Sequence, residues 1–311
     1  MGRLIDGKWY SGDVNTSGTK GDYKRVPRTF LNFIDKEGMF SPELNRYHLY
    51  VSYACPWAHR TLIMRKLKSL EDFISVSVVS PEMMEEGWKF DDKISGSTVD
   101  HLYNCKNLSE IYQKADNNIS TTVTVPILWD KKNETIVNNE SSQIIRIFNS
   151  AFNHLTNNNI DFYPKDLRSE IDKINEEIYH NINNGVYKTG FAKNQESYNV
   201  AVKNLFESLD KMERILEGRD FLIGNNMTEA DIRLLPTLIR FDSVYFIHFK
   251  CSIRRISEYK NISSYLNKNL RIEAIKNTTN HFHIMRHYYF SHRMLNPYGI
   301  IPQISSKILN S

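Results

Sequence analysis

A cysteine followed at once by proline, Cys55-Pro56, stands where an alternating apolar run gives way to a helix-spaced one. The run before it, Tyr47-His-Leu-Tyr-Val-Ser52, alternates as a strand does, and after it Ala58, Leu62, Ile63, Leu67 and Leu70 recur at helical steps. Proline is favoured at the first helical position because the N–H it lacks would be unpaired there anyway. A helix opened by Pro56 sets the Cys55 sulfur over free backbone N–H groups and the positive end of the helix dipole. That setting stabilises thiolate over thiol and draws a cysteine pKa down from roughly 8.5 towards neutrality. The chemistry on offer is nucleophilic attack on sulfur. With Ala58 where a Cys-x-x-Cys motif has its second cysteine, no internal disulfide forms, so a mixed disulfide at Cys55 has to be resolved by an external thiol. The other reading of Cys55 is a buried structural cysteine.

The elements that position this cysteine follow from the pattern around it. Ile74-Ser-Val-Ser-Val-Val79 is a second alternating, β-branched strand, and two strands joined by a helix make a βαβ unit with a parallel pair. A polar loop from Pro81 to about Val99 contains Trp88, read as a lid over a ligand or else as an anchor for the loop. Leu108, Ile111, Tyr112 and Ala115 mark a further helix. Val123-Thr-Val-Pro-Ile-Leu128 and Thr135-Ile-Val137 read as a hairpin, but Pro126 is awkward in a central strand. It implies an edge strand or a cis bond, and a cis bond would leave the Val125 N–H and C=O free to pair with a bound peptide. Glu140 and Ser141 precede a helix bearing Ile144, Ile145, Phe148, Ala151 and Phe152. There, free N–H groups and a hydroxyl suit a carboxylate, and the Glu140 carboxylate suits an ammonium group; plain helix caps would look the same. His59 reads as a tie from the first helix to the neighbouring domain. This order of elements is the thioredoxin-like plan.

From about Pro164 the pattern is helical: Leu167, Ile171, Ile174 and Ile178, then Val202, Leu205, Leu209, Met212 and Leu216. Thr228-Glu-Ala-Asp231 reads as a capping box opening another helix. The expected architecture is an α/β N-terminal thioredoxin-like domain plus an all-α C-terminal domain. The expected divisions are an irregular arm over 1–46, the thioredoxin-like domain over 47–155, and the helical domain with an extended tail over 164–311.

Composition narrows the function. A net charge of +4 over 311 residues predicts mild affinity for anions and no nucleic-acid surface. No apolar run approaches the ~20 residues needed to span a bilayer, and the N-terminal residues lack both a signal core and, with Asp6, a myristoylation pattern. Three widely spaced cysteines make neither a disulfide framework nor a zinc site. No metal is expected, and a reducing cytoplasm is the compartment that fits.

Cys-Pro-Trp-Ala-His-Arg-Thr-Leu at 55–62, Glu-Gly-Trp-Lys-Phe at 86–90, Val-Thr-Val-Pro-Ile-Leu-Trp-Asp at 123–130 and Ile-Val-Asn-Asn-Glu-Ser-Ser at 136–142 resemble the glutathionyl-hydroquinone reductases, also called Xi-class glutathione transferases. Asn184-Gly-Val-Tyr-Lys188, Thr228-Glu-Ala-Asp-Ile-Arg233, Leu238-Ile-Arg-Phe-Asp242, His248-Phe-Lys-Cys251 and His287-Tyr-Tyr289 extend the resemblance from Gly2 to Pro302. It implies a glutathione transferase-like fold, a homodimer, glutathione as co-substrate and S-glutathionylated quinols as substrates. The catalytic cysteine falls on Cys55, the tyrosine that donates or accepts a proton on Tyr187, and two tyrosines near the thiolate on Tyr245 and Tyr288. Glutathione would be held by Trp88, by Thr122, Val123, Thr124, Val125 and Pro126, and by Glu140 and Ser141. One departure is Thr122, where the family usually has arginine; another is the sequence around Arg293. The residues support the same chemistry: thiolate attack on a glutathionyl sulfur, expulsion of the hydroquinone, then release of the mixed disulfide by a second glutathione. Two other readings stand beside it. One is an omega-like thioltransferase or dehydroascorbate reductase; the other is a non-catalytic ligand-binding relative.

Overall fold

The computed structural model describes residues 2–12 and 21–305; part of the expected arm (13–20) and the end of the expected tail (306–311) lie outside the described residues. The chain divides into two compact units, one of Met1–Asn15, Val26–Ile160 and Thr278–Ser291, the other of Thr16–Arg25, Asp161–Asn277 and His292–Ser311.

The first unit is built on two sheets. Strands β1 (Gly2–Ile5) and β2 (Lys8–Ser11) form a hairpin around Asp6-Gly7, both at positive φ (47° and 72°). Asp-Gly is the pair that adopts such a turn most readily. Hence the start of the chain, expected to be part of an irregular arm, is an antiparallel hairpin. The larger sheet holds β3 (Tyr47–Val51), β4 (Ile74–Val78), β6 (Ile127–Asp130) and β7 (Thr135–Asn138) in the order β4-β3-β6-β7. As expected of a βαβ unit, β3 and β4 run parallel, joined by α1 (Pro56–Leu67); β6 is antiparallel to β3 and to β7. Helices α2 (Leu108–Ala115) and α3 (Ser141–Ser150) complete the plan. Of the expected strand over Val123–Leu128, only Ile127 and Leu128 lie in a strand. Residues Thr121–Thr122 form β5, which pairs with β1 in the smaller sheet, and β6 begins only at Ile127, after the cis Val125–Pro126 bond. A proline cannot donate to a ladder, so the chain leaves the sheet there.

The second unit is helical, with long helices over Arg168–Glu177, Gln195–Ile215, Glu229–Arg240 and Lys260–Asn269. Ile171, Ile178, Val202, Leu205, Leu209, Met212 and Leu216 are buried, as their spacing requires. The capping box forms: the Thr228 side chain accepts from the Asp231 N–H, and Asp231 Oδ2 accepts from the Thr228 N–H at 2.8 Å. Asp231 Oδ1 also accepts from the Leu222 N–H (3.0 Å) and the Tyr265 hydroxyl (2.9 Å), so one buried carboxylate ties three segments together. Asp231→Ala strands these donors without solvent and is expected to destabilise the unit by about 3 kcal/mol. Thermal and urea unfolding of the variant measure this, and a loss below about 1 kcal/mol would show the box to be dispensable.

Candidate functional site

Cys55 is the N-cap of α1, in extended backbone (φ −76°, ψ 120°), with Pro56 in the first turn. The turn that delivers it is closed by Ser52, whose carbonyl accepts from the Cys55 N–H (3.2 Å) and whose Oγ accepts from the Ala54 N–H (3.2 Å). The sulfur is half-buried and lies 3.7 Å from the Val125 carbonyl oxygen. Thus the helix N-terminus and the turn before cis-Pro126 converge on one sulfur. The other two cysteines are set up differently. Burial beside Asp100 pushes the Cys105 thiol up to about 12, and complete burial pushes Cys251 up as well.

The Val123–Pro126 turn is held from behind by Tyr112 of α2. Its hydroxyl donates to the Thr124 carbonyl (2.9 Å) and accepts from the Thr124 N–H (3.3 Å) and from Asn139 Nδ2 (3.2 Å). Sequence reasoning gave Tyr112 a place on a helix face but no part in the site; nothing in its spacing signals that role. Among the described residues the Val125 N–H has no protein acceptor, which leaves a donor for an added strand. Val123 and Val125 are buried, and Thr122 pairs with Arg3 of β1.

Glu140 is the N-cap of α3. Its Oε1 accepts from the Ser142 N–H (3.0 Å), from Ser142 Oγ (2.9 Å) and, longer, from Ser141 Oγ (3.5 Å). Trp88 is buried, its ring stacked on His287 at 4.8 Å with planes 20° apart, so it anchors its loop in this structure. The loop comes close because Gly87 has φ +73°, and a Cβ there would meet the Trp9 ring at 2.6 Å. Trp9 in turn donates to the Glu85 carbonyl (3.1 Å). His59 bonds Thr278 Oγ1 at 3.0 Å. That partner belongs to the same unit, because the Thr278–Ser291 segment packs with Val26–Ile160.

The tyrosines are distributed between the units. Tyr288 is buried in the first, within a π-helical turn at Arg286–Ser291. In the second, Tyr187 follows a π-helical turn at Ile178–Asn183, and Tyr245 ends another at Phe241–Tyr245. Such wide turns recur at functional sites, and no residue pattern marked them in advance. The Tyr187 and Tyr245 rings lie 6.1 Å apart, and Phe249 packs against both, at 5.4 Å from each. Among the described residues no group of three or more His, Cys, Asp or Glu side chains is arranged to hold a metal ion, and no helix is long and apolar enough to cross a membrane.

Comparison with known proteins places this geometry among relatives. Residues 54–151 match the glutathione S-transferase N-terminal domain, and residues 195–268 match the glutathione S-transferase C-terminal domain. The glutathionyl-hydroquinone reductase YqjG of Escherichia coli (strain K12) is 52% identical over 309 residues, covering 97% of this chain and 94% of the relative. The crystal structure of the glutathione S-transferase Xi from Phanerochaete chrysosporium superposes with a TM-score of 0.92 at 49% identity, covering 94% of this chain and 96% of that one. The glutathione-bound structure of Escherichia coli K-12 YqjG superposes with a TM-score of 0.86 at 53% identity, covering 89% of this chain and 93% of that one.

Proposed function

Since this chain belongs to the Xi-class glutathione transferases, the glutathionyl-hydroquinone reductases, we propose that it removes glutathione from glutathionyl-hydroquinones, with glutathione as co-substrate and Cys55 as nucleophile. The observation that carries the reading is the half-buried Cys55 sulfur at the proline-opened start of α1, 3.7 Å from the Val125 carbonyl. The Cys55 thiolate attacks the sulfur of the glutathionyl-hydroquinone, forming the Cys55–glutathione disulfide and breaking the sulfur–ring bond. The electron pair of that bond leaves with the ring carbon, which takes a proton from Tyr187 and departs as hydroquinone. The thiolate of a second glutathione attacks the mixed disulfide, releasing oxidised glutathione and the Cys55 thiolate. Its proton balances the one Tyr187 gave up.

Glutathione is proposed to lie antiparallel to Val123–Val125 as an added strand, its cysteine pairing with Val125 next to Pro126 and its γ-glutamyl end at Glu140 and Ser141. Thr122 and Trp88 complete the binding set. Tyr245 and Tyr288 are proposed to assist at the thiolate, and the enzyme to act as a homodimer in the cytoplasm.

Two measurements test this. Rates with a glutathionyl-hydroquinone, with dehydroascorbate and with a simple glutathione mixed disulfide separate the proposal from an omega-like activity; the glutathionyl-hydroquinone is expected to be fastest. Tyr187→Phe is expected to slow that substrate at least tenfold. Dehydroascorbate as the faster substrate would overturn the assignment.

A further inference from the structure

Arg25 ends the described stretch Gly21–Arg25, which belongs to the second unit. Its guanidinium carbon lies 5.1 Å from the Tyr187 ring centroid and 5.6 Å from that of Tyr23. The two rings stack on each other at 6.1 Å with planes 24° apart. Arg25 Nε donates to Asn184 Oδ1 at 2.9 Å, and Asn184 stands three residues before Tyr187, at the start of its helix. One side chain is therefore fixed at its Nε by the residue that begins the turn and lies with its charge against the phenol which that turn delivers. Tyr187 is half-buried, so the charge acts with less solvent between it and the ring than on an open surface.

A cation at an aromatic face is attracted by the ring, and the attraction grows when the phenol loses its proton and becomes negative. An interaction stronger in that state than before it lowers a barrier instead of tightening ground-state binding. From this geometry we infer that Arg25 is a positioning residue for Tyr187, orienting its ring and stabilising the phenolate left once the proton has gone to the departing hydroquinone. The inference rests on Tyr187 being the proton donor, as proposed above.

The test compares two substrates. A glutathionyl-hydroquinone needs a proton on carbon, whereas a simple glutathione mixed disulfide expels a thiolate that needs none. Arg25→Met is expected to lower kcat for the glutathionyl-hydroquinone about tenfold with little change in KM, and to leave the mixed-disulfide rate within twofold of wild type. Arg25→Lys, which keeps the charge, is expected to recover part of the loss. In a Tyr187→Phe background Arg25→Met should add less than twofold, because the group it acts through has gone. Equal losses on both substrates, an additive double variant, or an unaffected Arg25→Met would each overturn the inference; if Arg25→Met fails to fold, Arg25→Lys with the same two substrates decides it, and an equal loss on both overturns it. Should Tyr187→Phe itself leave the glutathionyl-hydroquinone rate unchanged, the proton-donor reading falls instead, and the two failures are distinguishable.

Discussion

Cys55→Ser is expected to lose at least about a thousandfold in kcat/KM, or about 4 kcal/mol of transition-state stabilisation, while folding normally. A serine hydroxyl fits the same N-cap, so the helix is kept, but it is essentially un-ionised at neutral pH and cannot form the mixed disulfide. Incubating wild type with a glutathionyl-hydroquinone, quenching and weighing the intact protein is expected to show a single glutathione adduct, mapped to Cys55. The variant should show none, although Cys105 and Cys251 remain. Both have their thiols pushed up by burial, and Cys251 is wholly enclosed, so neither substitutes as nucleophile. Turnover above a tenth of wild type in Cys55→Ser would overturn the mechanism, and an adduct on Cys105 would move the nucleophile.

How much of this site was legible in the sequence depends on how local each part is. Cys55 and Pro56 are neighbours, and the helix start they make is dictated by their own backbone chemistry. The parallel β3–β4 pair and the Thr228–Asp231 box are likewise short-range patterns, and all three are present. Pro126 announced a break but not its form: β5 joins the smaller sheet because a hairpin folded more than a hundred residues earlier offers it an edge. That hairpin was itself signalled by Asp6-Gly7, but the exposed strand β2, with no buried alternation, hid it. Tyr112 behind the Val123–Pro126 turn and Arg25 against Tyr187 are long-range contacts that no periodicity encodes. Trp88 shows the same limit from the other side. An indole in a polar loop reads as a lid or as an anchor until His287, nearly two hundred residues on, is found stacked against it.

Acid is expected to destabilise the first unit steeply through a residue outside the proposed chemistry. His48, the second residue of β3, is fully buried, with Nδ1 2.7 Å from Ser75 Oγ and Nε2 2.9 Å from Ser77 Oγ, both serines on β4. Ser77 Oγ also meets His101 Nδ1 (2.9 Å), and the neighbouring Tyr50 hydroxyl donates to Asp100 Oδ1 (2.9 Å). Hydroxyls serve as donor or acceptor, so a neutral imidazole is satisfied at both nitrogens, whereas a positive one would be a charge inside the sheet. Burial accordingly pushes His48 down from 6.5 to about 3. The unfolded chain takes up this proton near 6.5 and the native sheet refuses it until about 3, so between those values the unfolded state holds more protons and stability falls as pH falls. From pH 7 to pH 4 the loss from this residue is about 3 kcal/mol. His248, held down to about 4 by burial, has the same sign in the second unit. His48→Gln keeps an amide that can bond both serines and removes the titration. Its unfolding midpoint is expected to fall much less than that of wild type as the pH is lowered from 7 to 4. If the two proteins lose stability in parallel over that range, the acid sensitivity belongs to other groups and the strand tolerates a charged His48.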